Sequence, residues 1–312
     1  MPNRRNVFAI VSRTKKRKRF LAPVVGRAMF LDMAVLDKNE VDQFTRDGYV
    51  STDGLLSVDE VDTFGEAIDN AVARRVDGDD RELAAKSVYE QSFVQCMRLW
   101  ETDADVAPLT FHPRLAEAAA QLLGVEGVRI WQDQALYKEP GGRITDAHQD
   151  APFWPIGDAP VVSAWIPLVG STIENGAVGY VPGSHRLGKL KTVNLLEADE
   201  AYDILADPAM GGRQPVYVEA AKGAVVWHHG MTVHAALANA SGVTRRAFTV
   251  VYIADGCRRA EPWPSFPLDR AGIAVGDVMQ GEGLPLVWPR ESTRVPDPPM
   301  VTGAPTGPQA GQ

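Results

Sequence analysis

The chain has 312 residues, 45% of them hydrophobic and 8% aromatic, which suffices for one sizeable globular domain with a buried core. A formal net charge of −8 and a pI near 5.3 exclude nucleic acid as a partner for the body of the chain. No run approaches the roughly 18 to 20 uninterrupted apolar residues of a membrane span, since even Phe20 to Leu36 is broken by Arg27 and Asp32.

Residues 1–35 are basic, with Arg4, Arg5 and the run Lys15-Lys16-Arg17-Lys18-Arg19, and show no periodicity, so a disordered tail is expected there. Met29 and Met33 leave room for a later translation start. From Asp37 the pattern is regular. Asp37 caps a short helix carrying Val41 and Phe44 that Asp47-Gly48 closes, Tyr49 to Ser51 form a short strand, and Ser57 opens a second helix with Val61, Phe64, Ile68 and Val72 on one face. Residues 73–86 are charged and irregular, a candidate lid. A helix over Leu115 to Leu123 follows, and then the character changes to strands.

Val128 to Lys138 is a long strand candidate ended by Pro140-Gly141-Gly142, and Val161 to Val169 is another. Turns at Glu174-Asn175-Gly176 and Pro182-Gly183-Ser184 flank a short strand at Val178 to Val181. Residues 190–214 are helical or irregular, a second candidate lid. Strand signals return at 215–218, 223–227, 232–237 and 245–253. Residues 291–312, rich in Pro and Gly, are expected to form a disordered tail after a single domain spanning 36–290. Helices first, then many short strands with Gly and Pro turns, predict a mainly β domain with flanking helices, a double-stranded β-helix of the jelly-roll, cupin-like kind.

The chemistry concentrates at Asp146-Ala147-His148-Gln149-Asp150. In an extended strand side chains repeat every second residue, so His148 and Asp150 would share a face. Two histidines and one carboxylate on one side of a metal are the ligand set of non-haem Fe(II) sites with open positions opposite. His228, His229 and His234 compete for the third place, and His234 is favoured by Asn239 and Arg245 that follow it. Of Arg245 and Arg246, neighbours on one strand, only one can aim inward, and a buried guanidinium there needs an anion such as a small dicarboxylate.

The set His148-Gln149-Asp150, Ala164-Trp165, Asn175-Gly176, Val181-Pro182-Gly183-Ser184-His185, His234, Asn239 and Arg245 resembles the phytanoyl-CoA dioxygenase family of Fe(II)/2-oxoglutarate oxygenases. Phe44-Thr45-Arg46-Asp47-Gly48-Tyr49-Val50 is similar to that family's usual opening, and the resemblance covers roughly residues 37 to 255. It implies that His148, Asp150 and His234 bind Fe(II), that Arg245 pairs with the distal carboxylate of 2-oxoglutarate, and that Gln149 and Trp165 lie close to that pocket. Gln132 and Lys138, on one face of the preceding strand, are further candidates for contact with the co-substrate. Phe153, Trp154, Tyr137 and Met231 are candidates for a substrate pocket.

The implied reaction consumes O2 and 2-oxoglutarate, releases succinate and CO2, and hydroxylates an unactivated C–H bond. The acidic body offers no basic groove for a coenzyme A phosphate, so a small, fairly apolar metabolite such as a natural-product intermediate is the expected substrate. In related halogenases a small residue replaces the carboxylate ligand, and the presence of Asp150 argues against halogenation. Desaturation, epoxidation or ring formation would use the same ligands, and a jelly-roll protein holding a structural metal is the reading from another class. Two distant cysteines, Cys96 and Cys257, and the lack of a secretory signal point to the cytoplasm. A monomer or homodimer is expected.

Overall fold

The computed structural model describes residues 34–195, 202–290 and 294–303. The basic segment, the alternative starts at Met29 and Met33, and part of both the 190–214 segment and the C-terminal tail therefore lie outside the described residues. The body begins at Val35.

Helix α1 (Lys38–Asp47) starts at Asp37, whose carboxylate accepts from the Asn39 and Glu40 amides while Glu40 reaches back, and ends at Gly48 with φ 81°. A β-carbon at Gly48 would sit 2.3 Å from His185 Nδ1 and 2.5 Å from Thr232 Oγ1, so the position requires glycine on steric as well as torsional grounds. Strand β1 (Tyr49–Thr52) follows, then α2 (Val58–Arg75), which continues into the stretch expected to be a loop because its apolar face extends to Val72. Strand β2 (Val94–Met97) was not legible in the sequence: it is four residues long and lacks a clear alternation. The short helix α3 (Ala107–Thr110) and α4 (Pro113–Leu123) complete the helical part.

The remaining strands are β3 (Val128–Lys138), β4 (Thr145–His148), β5 (Val161–Pro167), β6 (Val178–Tyr180), β7 (Val216–Val218), β8 (Val225–His229), β9 (His234–Ala236), β10 (Arg245–Ala254) and β11 (Leu286–Trp288), with the single turn α5 (Phe266–Asp269) before the last. They form two antiparallel sheets. The large one runs β1-β8-β5-β10-β3-β11, with β2 also on β3, and the small one runs β4-β9-β6-β7. The architecture is the jelly-roll type expected, without a closed barrel.

One face of the large sheet packs on α1, α2 and α4 through Phe44, Val61, Ile68, Leu115, Ile130, Ala164, Trp227 and Phe248. The other face meets the small sheet through Tyr49, Trp165, Tyr180, Val226, Ala236 and Ala247. Between β10 and β3 the register steps from Val251↔Gln132 to Tyr252↔Ile130, which makes Trp131 the extra residue of a β-bulge. The bulge lets Trp131 and Gln132 both leave the helical face, and beyond it Gln134, Leu136 and Lys138 continue on the inner face.

Beneath the helical face lies Asp133, fully buried, accepting from the Leu99 amide at 2.7 Å, the Trp100 amide at 3.1 Å and the Thr110 hydroxyl at 2.6 Å. Burial raises its pKa to about 6, and the donors hold it against that rise. Asp133→Ala would strand three buried donors, so a loss of roughly 3 kcal/mol is expected, read as a lower denaturant midpoint in chemical unfolding.

Candidate active site

Strand β4 ends at His148, and Asp150 lies beyond it with φ −76° and ψ −50°, leading into the short 3-10 turn Ala151–Phe153. The expectation that one extended strand carries both is therefore corrected: a bend in helical conformation, not strand alternation, brings the carboxylate back toward the imidazole. Directly across from His148 on β9 is His234, and the two rings stand 4.3 Å apart. The Asp150 Oδ1 atom lies 3.5 Å from His148 Nε2 and 3.6 Å from His234 Nε2. One ligand atom from each of the three residues falls within 4.8 Å of the others.

Tautomers are set by the backbone. His148 Nδ1 lies 2.7 Å from the Asp146 carbonyl and His234 Nδ1 lies 3.0 Å from the Thr232 carbonyl, so each Nδ1 donates its proton and each Nε2 keeps its lone pair for a metal. Burial pushes His234 down to about 3, opposed by Asp150, so the ring is neutral and ready to coordinate. Burial by itself would raise the Asp150 carboxyl, but His234, His148 and His228 around it outweigh that and hold it well below its ordinary value. Two imidazole nitrogens and a carboxylate facing one open cavity are the donor set that suits a divalent iron.

His228, on β8 of the other sheet, contacts the second carboxylate oxygen: its Nε2 is 3.0 Å from Asp150 Oδ2. His229 points elsewhere, its Nδ1 accepting from the Met231 amide at 3.0 Å. The three competing histidines thus have three distinct positions.

Arg245 is 2% exposed. Its Nη1 donates to the Gly176 carbonyl at 2.9 Å, its guanidinium stands 5.3 Å over the Trp165 ring, and its Nε has no partner. Burial pulls its pKa down to about 10, which still leaves a cation at neutral pH. No Asp or Glu among the described residues pairs with it, whereas Arg246 faces outward and pairs with Asp69. Thr249 Oγ1 and the Tyr180 hydroxyl are likewise buried without partners. All three line one cavity with the triad and Trp165. A buried cation and two unpaired hydroxyls facing a common space are a receptor for a carboxylate.

Several expected residues lie elsewhere. Gln149 is turned away: its Nε2 donates to the Gly188 and Met231 carbonyls, both at 2.8 Å, and its Oε1 accepts from the Leu190 amide at 2.9 Å. Those three bonds use up the side chain in bracing the 188–190 loop. Lys138 sits directly opposite Arg245 in the sheet but does not reach the cavity; its ammonium donates to the Arg143 carbonyl, and burial followed by repulsion from Arg245 lowers its pKa to about 7. Tyr137 points to the helical face, its hydroxyl on Asp69, because its parity on β3 is opposite to that of Gln132. Met231 is core, beside Ala151, Trp131 and Trp154.

Gln132, Phe153 and Trp154 do line a second chamber that shares Tyr89, Gln95, Gln134, His148 and Asp150 with the first. Its far wall comes from Tyr89, Gln95 and Met97, just beyond the 73–86 loop, which contributes nothing to either chamber. Asn194 and Leu195, in the other expected lid, complete it. Thr249 and Gln134 share strand faces with Arg245 and Gln132, so period-two counting could have found them; Tyr89, Gln95, Tyr180 and His228 carried no such signal.

A family model described as phytanoyl-CoA dioxygenase (PhyH) matches residues 44–247. The chain belongs to the phytanoyl-CoA dioxygenase family. The phytanoyl-CoA dioxygenase domain-containing protein 1 of Bos taurus is 25% identical over 264 residues, covering 70% of this chain and 90% of that protein. Other curated relatives align over about half of their own length. Among solved structures, SnoK, a non-haem α-ketoglutarate-dependent carbocyclase from nogalamycin biosynthesis, is 29% identical with a TM-score of 0.67 over 80% of this chain and 96% of that one. The epimerase SnoN, solved with Fe3+, α-ketoglutarate and nogalamycin RO, is 25% identical with a TM-score of 0.66 over 80% and 97%.

In this member of the family His228 holds the carboxylate oxygen that faces away from His148 and His234. Replacing it with leucine removes that hydrogen bond, and divalent-metal affinity is expected to fall about 10- to 100-fold, while His228→Gln, which keeps a donor, should recover most of it in equilibrium dialysis.

Proposed function

We propose that the protein is an Fe(II)- and 2-oxoglutarate-dependent dioxygenase that hydroxylates an unactivated C–H bond of a small, fairly apolar metabolite, turning 2-oxoglutarate into succinate and CO2. The observation that carries this reading is Arg245. A guanidinium buried without a counter-ion is costly unless an anion completes it, and the chamber that joins Arg245 to the triad also presents the unpaired hydroxyls of Thr249 and Tyr180. One carboxylate of a dicarboxylate at Arg245 leaves the rest of the molecule directed at His148, Asp150 and His234.

His148, Asp150 and His234 would hold the iron, which supplies activation of O2 and oxidative decarboxylation of the co-substrate. The protein's part is orientation and exclusion of water. Arg245 and Thr249 fix one end of 2-oxoglutarate, Trp165 covers the guanidinium, and His228 keeps the outer oxygen of Asp150 from swinging toward the metal. The second chamber, walled by Phe153, Trp154 and Met97, presents the substrate to the open side of the ligand set.

Other outcomes with the same cofactors, desaturation, epoxidation or ring formation, draw support from the likeness to a carbocyclase and an epimerase. They differ from hydroxylation in the fate of the substrate and not in the residues that bind cofactors, so product analysis separates them. A metal-holding protein without catalysis has no use for the uncompensated charge of Arg245.

Succinate formation in the presence of Fe(II), 2-oxoglutarate and O2 is the direct test, with His148→Ala as control. Arg245→Ala should raise the KM for 2-oxoglutarate at least tenfold, a lost charge-assisted hydrogen bond being worth ~2 kcal/mol, with metal content unchanged. Succinate production equal in wild type and the His148 variant would reject the oxygenase reading.

A further inference from the structure

The wall common to the two chambers contains a chain of side-chain hydrogen bonds with a fixed direction, continued into the second chamber by Gln132. The Tyr89 hydroxyl, on the segment before β2, lies 2.9 Å from Gln95 Oε1, and Gln95 Nε2 lies 2.7 Å from Gln134 Oε1 on β3. Tyr89 and Gln95 are 8% and 7% exposed. Burial, with Asp150 nearby, raises the Tyr89 pKa, so the phenol stays neutral and has a proton to give. Gln95 Oε1 is the acceptor bonded to that hydroxyl among the described residues, and a buried hydroxyl must donate to something. The Gln95 amide is therefore oriented with its oxygen toward Tyr89 and its NH2 toward Gln134, and Gln134 in turn accepts on its oxygen.

What remains is the Gln134 NH2, which has no partner among the described residues. Gln132, 5% exposed on the same strand face, adds a second amide with no hydrogen bond to the described residues. The ionisable side chains along this chamber are Tyr89, His148 and Asp150, and no Lys or Arg is among the described residues that line it. The apolar part of the wall is mainly aromatic, from Phe153 and Trp154, with Met97 and Leu195.

Resting on the oxygenase reading above, we propose that Gln134, oriented by Tyr89 through Gln95, and Gln132 beside it form a donor edge that selects an uncharged, flat substrate through a carbonyl oxygen close to the reacting C–H bond. A phosphate-bearing acyl thioester finds no cation in this chamber. An acceptor oxygen satisfies the free NH2 of Gln134, and the matching hydrocarbon leaves it unpaired, which is the stronger of the two ways a site can discriminate. Tyr89 and Gln95 are positioning residues, since they act by setting which end of the Gln134 amide faces the ligand.

The test is calorimetric titration of the anaerobic, Fe(II)-loaded protein, first with 2-oxoglutarate and then with 1-tetralone, its hydrocarbon tetralin, or octanoyl-CoA. The ketone should bind at least tenfold more tightly than tetralin or the thioester. Gln134→Leu should reduce the ketone-to-hydrocarbon ratio to about one with 2-oxoglutarate affinity unchanged. Tyr89→Phe, which deletes one oxygen and frees the Gln95 amide to reverse, should shrink the ratio severalfold, a change that a purely structural Tyr89 would not produce. Equal binding of ketone and hydrocarbon by the wild type, binding of neither, tighter binding of the thioester, or a ratio unmoved in both variants overturns the proposal. So does a fall in 2-oxoglutarate affinity in Gln134→Leu with the ratio intact, since it assigns the amide to the co-substrate. The three ligands are also titrated into iron-loaded protein without 2-oxoglutarate, so that failure of 2-oxoglutarate to bind the wild type would reject the oxygenase reading separately from the ketone ratio.

Discussion

A single carboxylate joins the two sheets at the site. Asp150 faces His148 and His234 from the small sheet through one oxygen and His228 from the large sheet through the other. An ion in that position would be expelled or protonated if it met only apolar walls. The hydrogen bond to His228 favours the ionised form, and each of the three imidazoles is held by backbone: His148 and His234 by carbonyls two residues before them, His228 by its place between β1 and β5. The spacing of the two sheets and the ligand geometry are therefore one constraint.

A second charge imposes the complementary condition. Arg245 is kept in the interior by Gly176, whose carbonyl takes one of its donors, and by the Trp165 face, but neither offers a negative charge. The position of Gly176 is itself enforced, since a β-carbon there would meet Lys138 Cδ at 2.7 Å and the Leu237 carbonyl at 2.9 Å with φ at 97°. A pre-organised, uncompensated cation across a cavity from a pre-organised ligand set lets a small dianion contribute binding free energy without prior rearrangement of the protein. In the second chamber, away from His148 and Asp150, the described lining consists of neutral amides and apolar side chains with no Lys or Arg.

Much of this was readable from residue order. Helix caps at Asp37 and Ser57, the long strand at 128–138 and the turns at Asn175-Gly176 and Pro182-Gly183-Ser184 are local features, governed by interactions within a few residues, and the structure has them where the periodicity puts them. Alternation required that one of Arg245 and Arg246 aim inward, while the choice of His234 among three histidines and of Arg245 as the anchor rested on the family resemblance. Gln149, Lys138, Tyr137 and Met231 do not line either chamber, for a common reason: proximity in sequence to a site says nothing about which way a side chain turns. Tyr137 differs from Gln132 only by parity on a bulged strand, and Gln149 sits between two inward residues because the chain bends rather than alternates there.

Local chemistry along the chain was sufficient to determine the sheet-rich class and the types of ligand residue, because caps, turns and strand faces depend on near neighbours. Only the tertiary structure decided the rest. That His228 would brace Asp150, that Tyr89 and Gln95 would face Gln134 across some forty residues, and that Lys138 would be sealed beneath the sheet are consequences of strand order and register. Those depend on how two sheets pack, and pairwise contacts between distant residues leave no periodic trace in a single sequence.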